Sequence, residues 1–153
     1  MGLVGLWEED DALSRALGSL LPGQTVISHH PAAFAGREWE LLLVAPSARG
    51  WAGARGLYCR NLFLPGSAAP LARLLRAERA VSYGASPRDT LTISSLDAPR
   101  ISIALQRSVP TLSGGEVEEQ EFPLLLPGDM DPLLFLALPG SRLLLGAPPD
   151  WSK

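Results

Sequence analysis

Two short turns carry the residue types best suited to hold a ligand: Pro65-Gly66-Ser67 and Gly84-Ala85-Ser86. Each follows an apolar run that reads as a strand, and the first opens onto a run that reads as a helix. In open parallel sheets, ligands settle beyond the carboxyl ends of the strands. If the two strands are neighbours, both turns lie on that edge. Ser67 and the amides after it then form a helix N-terminus able to hold an anion, with Arg88 as countercharge. Gly66, Ser67, Gly84, Ser86 and Arg88 are therefore the candidate ligand-binding residues, and a small anionic metabolite is the ligand they suit. The plain alternative for the same residues is a turn, a helix cap and a surface Arg88–Asp89 ion pair.

Other chemistry is thinner. His29-His30 sit side by side, and on a strand they would point to opposite faces, so one metal would not take both. A single His could act as a general base. Cys59 beside Arg60 has the charge that lowers a thiol pKa, but it falls inside an apolar strand, where free Cys is usually a small buried hydrophobe. Ser94, Ser95 and Ser86 lack any Gly-x-Ser-x-Gly elbow. Glu116, Glu118, Glu119 and Glu121 read as the solvated face of a hairpin, without a calcium-loop pattern. The tryptophans Trp7, Trp39, Trp51 and Trp151 are scattered, and Trp51, in a Gly-rich loop, is the one expected to be an exposed contact residue. No catalytic residue, metal site or cofactor follows from these patterns. Lys153 is the only lysine, which removes the usual P-loop and Schiff-base roles.

The elements that must position these groups read as follows. Residues 10–21 form a first helix, with Asp10 or Asp11 as cap and Leu13, Ala16, Leu17, Leu20 and Leu21 at helical spacing. Val26 to Ser28 is a short strand. Trp39 to Ala45 is a strand whose unbroken Leu41 to Val44 run suits burial on both faces. Residues 46–56 are a loop. Leu57 to Leu64 is a strand, followed by a helix from Ser67 to about Glu78 and a strand from Ala80 to Tyr83. The second half alternates instead: Thr90 to Leu96, Ile101 to Val109 and Glu116 to Leu126 form an antiparallel meander with one solvated face. Asp131 caps a short helix through Leu138, and Arg142 to Leu145 forms a last strand. The expectation is one α/β domain over 1–153 with a mixed, partly parallel sheet. Helix–strand crossovers fill 1–84, and mainly antiparallel strands with a short helix fill 85–153.

Composition bounds the rest. The chain has 153 residues, 46% hydrophobic and 19% charged, which is globular rather than disordered. With 13 basic against 16 acidic residues, net charge -3, there is no basic excess to call for nucleic acid or an anionic membrane. One cysteine excludes an internal disulfide and a Cys-x-x-Cys zinc site. Met1 to Asp11 has no basic start and turns acidic, so no secretory signal is read. No apolar run approaches the roughly 18–20 residues of a membrane span; Pro123 to Pro149 is broken by prolines, glycines and charges. A cytoplasmic location is expected.

Residues 79–128 resemble the end of the central domain of Mur ligases. The carriers are AVSYGASPRDTLTISSL, then a strand, a turn, a second strand and EFPLLLPG. In that family a strand ending in Tyr/Phe-Gly leads into an antiparallel meander that closes on an apolar segment and Pro-Gly. The resemblance implies a shared sheet topology. It carries over no ATP-site residue: there is no Gly-Lys-Thr/Ser triplet, and Gly23-Gln24-Thr25 lacks the lysine. Asp129-Met130 stands where the family has His-Asn, and Leu64-Pro65-Gly66-Ser67 where it has Asn and paired Asp.

Two function classes fit. One is a non-catalytic binding or interaction domain, with the abundant Leu supplying a homo-oligomer interface or a surface for a protein partner. The other is a small enzyme or binder of an anionic metabolite, working at Gly66 and Gly84.

Overall fold

The computed structural model describes residues 3–149. Trp151 and Lys153, singled out above, lie outside the described residues. The first described element is a strand that the sequence pattern does not announce, β1 (Leu3–Trp7). It is followed by α1 (Ala12–Leu17), β2 (Val26–Ser28), β3 (Glu38–Val44) and β4 (Tyr58–Pro65). Then come the single turn α2 (Leu71–Leu74) and β5 (Arg76–Tyr83). The strands β6 (Leu91–Asp97), β7 (Arg100–Leu105), β8 (Val109–Pro110), β9 (Glu116–Val117) and β10 (Gln120–Leu125) precede α3 (Pro132–Leu144).

Eight strands make one mixed sheet in the order β10-β7-β6-β5-β4-β3-β1-β2. The pairs from β2 to β5 are parallel. β6 meets β5 in parallel at the single pair Tyr83–Leu91, so it runs on past the carboxyl end of β5. β6–β7 and β7–β10 are antiparallel. The expected α/β fold with a mixed sheet and an antiparallel second half is what the chain adopts.

Strand alternation sets the two layers. On β3, Leu41 and Leu43 belong to one apolar cluster with Val4, Leu6, Phe63, Val81 and the helices α1 and α3. Leu42 and Val44 face the other cluster, with Trp7, Phe34, Ala54, Leu62, Leu64 and Leu71. The unbroken apolar run is thus a strand covered on both faces, as continuous patterning requires. One layer is helical. The other is built from short 3-10 turns, Pro31–Phe34, Trp51–Ala54 and Gly66–Ala68, plus the single turn α2. On β7, Ile101, Ile103 and Leu105 are buried while Ser102 and Ala104 are half-buried, the expected alternation.

Several element expectations are corrected, among them the strand expected over Ile101 to Val109, which ends at Leu105 while Val109–Pro110 forms β8 in a separate ladder. The helix expected over 10–21 is six residues long and is extended by a 3-10 turn, Gly18–Leu20. Its amides are held chiefly by the buried Glu8, whose carboxylate accepts from Leu13 N at 2.9 Å and Ser14 N at 3.2 Å. Asp10 Oδ1 accepts from Ala12 N at 3.3 Å, whereas Asp11 makes no cap bond. The helix expected from Ser67 to Glu78 shrinks to four residues, because β5 pairs with β4 from Arg76 onward. Arg76 N donates to Leu57 O at 2.7 Å, and eight residues of ladder outweigh a helical stripe. Ser67 therefore lies in a 3-10 turn and caps nothing.

The strand expected over Glu116 to Leu126 is two, β9 and β10, with β9 turned back on β8 in a separate small ladder. The strand expected at Arg142 to Leu145 is instead the end of α3. Asp131 Oδ1 does accept from Leu133 N, at 3.4 Å, and Pro132 takes the first helical position, where its missing N–H is harmless. Pro139 and Gly140 lie within this helix and do not end it, because it is packed into the core along most of its length.

Candidate functional site

β4 and β5 are parallel neighbours with Leu64 opposite Ser82 and Pro65 opposite Tyr83. The next residues on each strand, Gly66 and Gly84, therefore leave the sheet side by side at its carboxyl edge. A cleft of about 610 Å³ opens there, within the range of small-molecule sites. All five residues selected from the sequence, Gly66, Ser67, Gly84, Ser86 and Arg88, line it. Ala69, Ser82, Ala85, Asp89 and Leu133 of α3 complete the wall.

Asp89 is the member that sequence reasoning missed. It was read as half of a surface ion pair, but it is only 5% exposed. Its carboxylate lies over both glycines: a Cβ on Gly84 would come within 2.6 Å of Asp89 Oδ2, and one on Gly66 would overlap the same carboxylate. Asp89 Oδ2 accepts from Ser86 N at 3.0 Å, Ser86 Oγ accepts from Arg88 N at 3.2 Å, and Asp89 N donates to Ser86 O at 3.0 Å. This is a turn from Ser86 to Asp89 closed by its backbone bond and braced by side-chain-to-backbone bonds at both ends. The spacing Ser86-Pro87-Arg88-Asp89 was its signal in the sequence.

The turn is tied down by the two residues that follow β7. Gln106 Nε2 donates to Pro87 O at 2.9 Å and to Asp89 O at 2.7 Å. Arg107 donates to Arg88 O and to Thr90 Oγ1, both at 3.1 Å. Among the described residues no carboxylate pairs with the exposed Arg88 side chain; the salt bridges found there belong to Arg60 with Glu40 and Glu78, each at 3.8 Å. The expected Arg88–Asp89 ion pair is therefore not formed. The cleft thus holds hydroxyls of Ser67, Ser82 and Ser86, an unpaired guanidinium, and one buried carboxylate.

The anion argument from the sequence loses its helix, since α2 is one turn long and Ser67 is not its cap. What remains for an acidic group is Arg88 and the serine hydroxyls.

The strand order β2-β1-β3-β4-β5 is doubly wound, and its switch point lies between β1 and β3. That crevice is knitted shut. Ala45 N donates to Trp7 O at 2.9 Å, Glu9 N to Ser47 Oγ at 2.9 Å, and Ser47 Oγ to Asp10 Oδ1 at 3.0 Å. The open cleft is displaced to β4 and β5.

The remaining candidates are placed as follows. His29 and His30 are both exposed, beyond the end of β2, with rings 4.0 Å apart rather than on opposite strand faces. Cys59 is fully buried, and desolvation pushes its thiol up to about 12, the reverse of an activated thiolate. Ser94 Oγ bonds Ser102 O at 3.1 Å and Glu121 at 2.6 Å, away from Ser86. Trp51 is half-buried against the second core cluster rather than exposed. Among the described residues no group of three His, Cys, Asp or Glu is placed to hold a metal ion, and no helix is long and apolar enough to cross a membrane.

Comparison with known proteins gives no match to a family model, a curated protein or a solved structure.

Proposed function

We propose that the chain is a non-catalytic binding domain whose ligand is a small polar molecule held in the cleft between the ends of β4 and β5. The observation that supports this reading is the convergence of Gly66, Ser67, Gly84, Ser86 and Arg88, with the buried Asp89, on one cleft of about 610 Å³. A catalytic role has less support. The only histidines, His29 and His30, do not line this cleft, and neither does Cys59. The Mur ligase resemblance carries no part of this proposal, because no ATP-site residue is present.

A thermal-shift screen against nucleotides, sugar phosphates, amino acids and divalent metals tests it. Ligand at 100 times its Kd stabilises a fold by about 2.7 kcal/mol, a rise of several degrees at this size. Arg88→Ala should shrink that rise without changing the unliganded Tm. A hit unaffected by every cleft substitution would place the site elsewhere.

A second reading, an interaction surface, has its own observation. Leu96 and Leu125 are 51% and 62% exposed at the ends of β6 and β10, beside a shallow groove lined by Ile101, Pro123 and Leu124. Under that reading the purified chain self-associates or captures a protein partner, and Leu125→Ser abolishes the association while Tm stays unchanged.

A further inference from the structure

The largely apolar wall of the cleft carries one carboxylate, Asp89, together with serine hydroxyls and the Arg88 guanidinium, and this pairing points to a ligand class. Asp89 Oδ2 is engaged by Ser86 N, but Oδ1 accepts no hydrogen bond among the described residues. It is also not among the buried side-chain atoms lacking partners, which are Trp7 Nε1, Trp51 Nε1 and Ser141 Oγ. Oδ1 therefore keeps some accessible surface, on the Gly66 side of the cleft that Asp89 lines. A carboxylate oxygen with no internal donor but with access to solvent is served by water in the free protein and is left for a ligand donor to take. A ligand ammonium or similar cationic donor satisfies it best, because charge-assisted bonds are the strong ones.

The donors are arranged for the opposite group. Ser82 Oγ accepts from Thr90 N at 3.3 Å and Ser86 Oγ from Arg88 N at 3.2 Å. Each hydroxyl keeps its own proton to give. Ser67 and Arg88, whose guanidinium meets no carboxylate among the described residues, line the same cleft. These groups suit a carboxylate.

We infer that the cleft takes an amino-acid-like zwitterion, with its ammonium against Asp89 Oδ1 and its carboxylate toward Arg88 and the serine hydroxyls. This rests on the cleft being the ligand site. It differs from the anion expectation by giving the Asp89 carboxylate, which lines the same cleft, a part in binding. Gln106, the residue after β7, holds the backbone of Pro87 and Asp89 through its side-chain amide.

The test is calorimetric titration of the full chain with the free proteinogenic L-amino acids, each beside its N-acetyl derivative. At least one amino acid should bind, and N-acetylation should weaken it by about 10–100-fold, the loss of one charged hydrogen bond. Asp89→Asn should weaken the same amino acid by a similar factor; it keeps an acceptor for Ser86 N–H, so the turn is retained. Should that variant not fold, Arg88→Ala, at an exposed position, gives a second reading, with the N-acetyl comparison made on the wild-type chain. Equal binding of free and N-acetylated forms overturns the zwitterion. So does the absence of binding by every amino acid. In either case the cleft reading stands if other small molecules perturb the backbone amides of residues 66–69 and 82–89, and falls with it if none do.

Discussion

The carboxylate of Asp89 occupies the space that a side chain on Gly84 would need: a Cβ there would come within 2.6 Å of Asp89 Oδ2. The two residues are coupled by sterics, and Gly84 serves the site by leaving room, not by its backbone freedom, since it is not among the glycines with positive φ. Gly84→Ala should therefore cost about 1–3 kcal/mol, the usual penalty for overpacking. In an Asp89→Ala background the same change should cost much less. A denaturant double-mutant cycle should give a coupling of about 0.5–3 kcal/mol; strict additivity would show that the carboxylate does not sit where it is described.

Glu8 caps α1 from the end of β1. It is buried and accepts two amide hydrogens, from Leu13 and Ser14. Glu8→Ala leaves those donors without a partner and should cost about 2 kcal/mol. Asp11→Ala should cost less, because the Asp11 side chain makes no cap bond and only the tolerance of Asp for its left-handed φ of 59° is lost. Urea unfolding of the two variants checks the order.

Gly140 seats α3 on the sheet. A Cβ there would overlap the Phe63 ring and reach Leu91 Cδ2 at 3.0 Å. In an open helix Gly→Ala stabilises by about 1 kcal/mol. Here the steric term wins, and Gly140→Ala should destabilise by about 1–3 kcal/mol. Trimming the ring with Phe63→Leu should recover part of that loss, read as Tm.

Alkaline stability should report Cys59. The unfolded chain releases this thiol proton near pH 9, whereas burial holds it in the folded chain up to about 12. Above pH 9 the unfolded state therefore binds fewer protons, and stability falls as pH rises toward 12. Its contribution is full below pH 9. Tyr83, buried and raised well above its ordinary value of 10.0, adds to the fall at higher pH. Cys59→Ala should flatten the onset between pH 9 and 10, measured by urea midpoints. In the native chain the thiol should resist a disulfide reagent at pH 8 and react on unfolding.

What could be read from the sequence followed local rules. The run Leu41 to Val44 announced a strand covered on both faces, and the alternation of Ile101, Ile103 and Leu105 announced a half-solvated one. Asp131-Pro132 announced a helix start. What was hidden depended on tertiary pairing. The stripe Ala68, Leu71, Ala72, Leu75 is helical by spacing, yet the ladder between β4 and β5 claims the chain from Arg76. Pro139 and Gly140 look like breakers, but Gly140 is where α3 approaches Phe63 closely. The cleft itself was half legible. Glycines after strands marked its floor, because such turns are local, while Asp89 was passed over because its burial comes from the neighbouring strand ends.

The most direct test of the central claim is a chemical-shift map of the ¹⁵N-labelled chain against a small polar fragment library. A ligand cleft between β4 and β5 predicts that perturbed amides cluster at residues 66–69, 82–89 and 133, and that Arg88→Ala thins the cluster. Perturbations confined to residues 95–102 and 123–125, or none at all, would contradict it.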